Sequence, residues 1–143
     1  MFEVTGESVL TLYASNVTGS PASSLLVVTQ KPLTDAAQSA LEKSAASLEF
    51  GEAPLAVAVV ESPEGTLGSE DVRTIVEGLD PVALVVADAF AAELVSAAYR
   101  TPLLIDDKTR LLGRTAVMFQ DFEALMATPE SRQQAWALLK KLR

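Results

Sequence analysis

Apolar residues in this chain fall into short unbroken runs, separated by stretches in which they recur every three to four positions. That alternation predicts buried strands interleaved with amphipathic helices. Leu25, Leu26, Val27 and Val28 form the first run, with the β-branched character of a strand covered on both faces. Beyond Pro32, Thr34 is placed to cap a helix through about Leu48, with Ala37, Leu41, Ala45 and Leu48 on its buried stripe. Leu55 to Val60 predicts a second strand, bounded by Pro54, Pro63 and Gly65. Ser69, ahead of Glu70 and Asp71, predicts a helix start, because a hydroxyl accepts an orphan amide and carboxylates favour the positive end of the helix dipole. Val72, Ile75, Val76 and Leu79 form its stripe, and Asp80-Pro81 ends it.

Val82 to Ala87 predicts a third strand, running into an alanine-rich helix from Ala89 to about Ala98. Leu103 to Ile105 and Ala116 to Phe119 read as two short strands around a charged loop holding Asp106, Asp107, Lys108 and Arg110. A helical turn from Phe122 to Met126 precedes a last helix that opens near Pro129 and docks through Ala135, Trp136, Leu139 and Leu142. Upstream, Val9 to Ala14 is β-prone and is followed by turn residues, which makes residues 1–24 an edge strand and loop outside a core of 25–143. No linker divides the chain, so a single domain is expected. Strands alternating with helices imply parallel pairing and right-handed crossovers. The expected fold class is α/β, a three-layer α/β/α sandwich with a mainly parallel four-stranded sheet centred on the Leu25, Val82 and Leu55 strands.

The chain's 143 residues are long enough to bury a core without disulfides. No apolar run reaches the roughly 18 residues of a membrane span, and the first residues lack a basic-then-apolar leader, so a cytoplasmic location without membrane contact is expected. The chain contains no histidine and no cysteine. Imidazole acid–base work, thiolate nucleophiles, iron–sulfur clusters and the commonest zinc ligands are thereby excluded. The net charge of -8 argues against extensive nucleic-acid binding. Charge is unevenly spread, however, with 3 basic and 14 acidic side chains in residues 1–99 against 8 and 5 in residues 100–143. Lys108, Arg110 and Arg114, with Arg100 nearby, form a candidate patch for an anion or nucleic acid.

Among the acids that could meet a ligand, Asp88 is better placed than Asp106 or Asp107, because ligands of open α/β sheets sit at the C-terminal ends of strands. Its ordinary role is to cap the helix beginning at Ala89. Asp106 and Asp107 offer oxygen ligands to a hard cation, yet adjacent acids in a charged loop usually face water, and no metal is expected. No glycine-rich phosphate loop follows the Leu25 or Val82 strand, and the serines have no histidine to activate them.

The tail from Ala127 to Lys140, with Arg132, Ala135 and Trp136 at set offsets from Pro129, resembles the C-terminal segment of the uracil-DNA glycosylase superfamily. Val85 to Ala92 is similar to that superfamily's strand leading into an alanine-rich helix, with Asp88 where a glycine would stand, and Val28 to Leu33 lies where its first motif would be. The resemblance implies a site lined by Gln30, Asp88 and Asp121. It also implies that the chemistry is gone, because Gln30 stands for an acid and a neutral amide is no general base. Asp121 lies where a histidine-proline pair would stabilise a departing base, and an anion there opposes the charge that builds on uracil. Gly51-Glu52-Ala53-Pro54 spells the first motif only superficially, since it precedes a strand. A non-catalytic branch of the fold, the psi-subunit family of the bacterial replicative clamp-loader assembly, is similar in size, in Pro32-Leu33-Thr34-Asp35 and in the tail. The resemblance therefore implies a non-catalytic domain without cofactors that binds a protein partner in replication or repair. The alternative is a small-molecule or nucleic-acid binder retaining a vestigial pocket.

Overall fold

The computed structural model describes residues 6–50, 55–105 and 107–142. Gly51 to Pro54 and Asp106 lie outside the described residues. In chain order the elements are α1 (Gly6–Leu12), β1 (Val17–Gly19), β2 (Leu25–Thr29), α2 (Asp35–Ser47), β3 (Leu55–Val59), a small hairpin of β4 (Glu61–Ser62) and β5 (Gly65–Thr66), α3 (Ser69–Leu79), β6 (Ala83–Val86), α4 (Ala89–Tyr99), β7 (Lys108–Leu111), β8 (Arg114–Met118), α5 (Phe122–Leu125) and α6 (Pro129–Leu139). A 3-10 turn over Lys140–Leu142 ends the described chain.

The protein is α/β, built on a mixed sheet of six strands rather than four, in the order β1-β3-β2-β6-β8-β7. The inner strands β3, β2, β6 and β8 run parallel, and β1 and β7 are antiparallel edges. Strand alternation sorts the apolar runs onto two faces. Leu26, Val28, Leu84 and Val86 pack with Val9 of α1, Ile75 of α3 and Val95 of α4. Leu25, Val27, Val85 and Val117 pack with Leu41 of α2, Phe122 of α5 and Leu139 of α6. No described helix is long and apolar enough to cross a membrane.

The differences from expectation have local causes. Val9 to Ala14 is not a strand: residues through Leu12 form α1, which buries Val9 against α3 and is tied there by a hydrogen bond from the Tyr13 hydroxyl to Asp71 (3.0 Å). The N-terminal edge strand falls instead at Val17–Gly19. Gly19 lies at φ 112°, where an added Cβ would stand 2.7 Å from the Ala56 Cα, so only glycine lets the backbones approach this closely. Gly68, not Ser69, caps α3, and its N–H donates to the Asp71 carboxylate (2.9 Å). Val82 is 60% exposed, so the third strand begins one residue later than expected. Leu103 to Ile105 is not a strand, since Ile105 makes only an isolated bridge to Met118. The charged segment after it is not a loop, because Thr109 and Leu111 alternate inward and make Lys108–Leu111 an edge strand. The last helix docks as expected through Ala135, Leu139, Leu142 and a half-buried Trp136, which lies under Lys140.

Candidate functional site

The strand order reverses between β2 and β6, since β3 lies on one side of β2 and the later strands on the other. Crevices at such switch points, beyond the carboxyl ends of the strands, are where open α/β sheets bind ligands. A cleft of about 440 Å³ opens there, walled by the segments that leave β2, β6 and β8, and it brings Gln30, Asp88 and Asp121 together. An apolar groove of about 420 Å³ adjoins it, sharing Gln120 and Asp121 and lined by Ile105, Met118, Phe119, Leu125 and Leu138.

Asp88 is the hub of the cleft. One oxygen, Oδ1, accepts the Ala91 N–H (2.8 Å) and so caps α4. The other, Oδ2, accepts the Gln30 N–H (2.7 Å) and lies 3.2 Å from the Thr29 hydroxyl. That hydroxyl has a single proton to share with the Lys31 carbonyl, 2.9 Å away. The carboxylate thus ties the end of β2 to the start of α4. A glycine at this position would supply neither bond. Gln30 reaches sideways, its amide donating to Glu61 (2.8 Å) on the β4–β5 hairpin.

Asp121 opposes Asp88 in an isolated antiparallel bridge and caps α5 through the Ala124 N–H (3.1 Å). Glu123 accepts from the Thr34 hydroxyl (2.8 Å) and N–H (3.1 Å), while Thr34 itself caps α2. Phe119 and Phe122 form an edge-to-face pair, centroids 5.0 Å apart, beneath the same turn. Four acids, Glu61, Asp88, Asp121 and Glu123, therefore stand in or beside the cleft, with Lys31 the cation on its lining. Such a rim repels phosphate and favours neutral or cationic groups. Among the described residues, no three His, Cys, Asp or Glu side chains gather into a metal-binding cluster.

The expected basic patch does not hold together. Arg114 leaves it: its side chain is only 7% exposed, turned to the far end of the sheet and paired with Glu77 (3.1 Å) and Asp80 (2.8 Å), while its Nε donates to the Pro81 carbonyl (3.1 Å). A guanidinium so placed has its donors satisfied from within. Burial alone would raise Glu77's pKa, but hydrogen bonds from Tyr99 and Arg114, with the charges of Arg114 and Arg73, hold it below the usual carboxylate range. The Tyr99 phenol is pushed well up, by burial and by donating to Glu77 (2.7 Å). Lys108 and Arg110 stay exposed on β7, with Arg110 donating to the Thr115 hydroxyl and the Gly113 carbonyl. Arg100 ends α4 in left-handed backbone at φ 51°.

Sequence reasoning missed Glu61, Glu123 and Lys141. Glu61 and Glu123 reach the cleft only through folding, and Lys141 reaches the β7 side through Asp107 (3.5 Å). No spacing signal marks any of them. A scan against protein-family models finds no match, and a search of curated proteins finds no similar chain.

Proposed function

We propose that this chain is a non-catalytic domain of the uracil-DNA glycosylase-like kind that works by binding a protein partner, as an accessory in replication or repair. One observation carries the reading: Asp88, the acid at the switch point, is engaged on both oxygens by donors of its own chain. An acid held this way organises backbone and is poorly placed to take a proton from a substrate. The apolar groove beside the cleft, with the exposed Ile105 in its lining, supports a protein ligand. The two helix-covered sheet faces and the capped, proline-led last helix support the three-layer glycosylase-like arrangement. A cytoplasmic site of action goes with that reading.

Excision assays test it most directly. Uracil-containing single- and double-stranded oligonucleotides, treated with alkali after incubation, are expected to show no product above a buffer control. Reproducible excision that disappears in Asp88→Asn or Asp121→Ala overturns it.

The cleft itself favours a second reading, a small-molecule binder, because a polar hollow of about 440 Å³ at a switch point has the size of a ligand site. Nucleic acid is the weaker variant, given the acidic rim and the loss of Arg114 from the patch. Anisotropy with a labelled oligonucleotide decides that variant. Low-salt binding that falls with added salt and is abolished by Lys108→Ala with Arg110→Ala would establish it.

A further inference from the structure

Strand β7 ends the sheet, with β8 on one side and no described strand on the other. Leu112 (φ 49°) and Gly113 (φ 88°) close the β7–β8 hairpin in two residues, both left-handed, as a type I′ turn requires. In such a hairpin the closing pair, Leu111 and Arg114, exchanges hydrogen bonds. Antiparallel alternation then turns the backbone N–H and C=O of Arg110 and Lys108 toward the open side, where the Lys108 N–H already donates to the Asp107 carboxylate (2.8 Å), leaving the Arg110 N–H and both carbonyls for a partner. Their side chains are exposed, and Lys141 is drawn to the same end of the strand by Asp107. Three cations, one of them paired with Asp107, thus gather along one edge of a chain whose net charge is -8.

Edge strands commonly carry lysine to discourage pairing with a second copy, and they avoid exposed apolar residues. This edge has the lysine and breaks the second habit. Leu112 is 66% exposed at the turn, and Leu104 and Ile105, just before β7, are 51% and 62% exposed. Leucine also disfavours the left-handed backbone that Leu112 adopts, so the residue serves neither turn nor core.

We propose that the open edge of β7 takes an extended acidic segment of a partner protein as an added strand. Backbone pairing through the Arg110 N–H and the Lys108 and Arg110 carbonyls supplies affinity, and the cations select for acidic side chains. Leu112 at one end and Ile105 at the other offer apolar anchors. A second copy of this chain is the wrong occupant, since pairing β7 with itself sets Lys108 and Arg110 against the same cations. The proposal names a surface for the protein-partner reading above and rests on it.

The test titrates the isotope-labelled full chain with a peptide of about eight residues alternating Glu and Val, with a Lys and Val peptide as control. Saturable amide shifts confined to β7, β8 and residues 104–112 are expected, with slowed solvent exchange at Arg110, whose N–H is the donor the edge leaves to a partner. Binding should weaken roughly tenfold or more in Lys108→Glu with Arg110→Glu. It should weaken likewise in Arg110→Pro, which removes an outward N–H without touching the ladder to β8. Equal binding of the two peptides, or binding that leaves the Arg110 amide unprotected, overturns the proposal. So does a concentration-dependent dimer lost in Arg110→Pro, which would make a second copy the occupant. Photo-crosslinkers at Arg110 and at Leu125, used in the native cell, separate the two levels. Protein adducts at Leu125 alone overturn the edge and keep the partner reading, and adducts at neither overturn both.

Discussion

The two ends of β6 and β8 each hold a cluster of carboxylates, and the two clusters are neutralised in opposite ways. At the C-terminal end, Asp88, Asp121 and Glu123 accept mostly from backbone N–H groups and threonine hydroxyls, so dipoles balance charge. At the N-terminal end, one guanidinium meets Glu77 and Asp80 directly. The first arrangement shapes the chain where strands turn into helices. The second pins the β7–β8 hairpin to the end of α3, and it does so with a group almost removed from water. Losing the guanidinium strands the Pro81 carbonyl and leaves Glu77 only partly in water, whereas losing a cap exposes amides that water can reach.

That contrast sets the order of expected effects. Arg114→Met should cost the most, about 2–3 kcal/mol, because hydrogen bonds to charged groups are lost and the Pro81 carbonyl is left without its donor. Urea denaturation read by circular dichroism measures it, and a shift below about 0.5 kcal/mol would erase the distinction between the two ends. Asp88→Ala should follow at about 2 kcal/mol, a lost cap together with an orphaned Gln30 N–H. Asp88→Asn sharpens the point, since one oxygen can still accept while the amide nitrogen faces donors. It should recover about half of that loss, and full recovery would mean that only the α4 cap matters. Asp121→Ala should be smallest, about 0.5–1 kcal/mol, because the helix it caps has only four residues.

The charged end holds two groups with opposite pH dependence. Glu77's folded pKa is depressed, so its contribution is present above its unfolded value near 4.5 and is lost as pH falls through the folded one. Tyr99's folded pKa is raised above 10.0, so its contribution is present below that value and is lost as pH rises toward the folded one. Melting curves across pH should show both limbs in the wild type, a flatter acid limb in Arg114→Met and a flatter alkaline limb in Tyr99→Phe. Unchanged limbs in these variants would assign the pH response elsewhere.

Much of the interior was legible because burial on both faces leaves an uninterrupted apolar run, as in Leu25 to Val28, and because helix starts announce themselves, through the caps Thr34 and Asp88 and the first-turn Pro129. The edges were not. A strand at the rim of a sheet buries only alternate residues, so Lys108-Thr109-Arg110-Leu111 looks like a charged loop until its partner is known. Val9 to Ala14 misled for a related reason: α1 is short, and tertiary contact with α3 outweighs the β preference of its residues. Gln30, Asp88 and Asp121 line one cleft because each follows a parallel strand, and such ends converge. Arg114 was wrongly placed with Lys108 and Arg110 because nearness in sequence says nothing about which side of a hairpin turns inward. Glu77 and Asp80, its true partners, lie more than thirty residues earlier.

The bonds of Asp88 also govern how the mouth of the cleft moves. Because one carboxylate holds the exit of β2 and the entry of α4, those two walls cannot breathe separately, and the Gln30 amide can exchange with solvent only when the hub itself opens. A molecule entering the cleft therefore meets walls whose freedom was surrendered when the chain folded. Little further ordering is left for binding to impose, so recognition there is closer to fitting a fixed mould than to closing a lid.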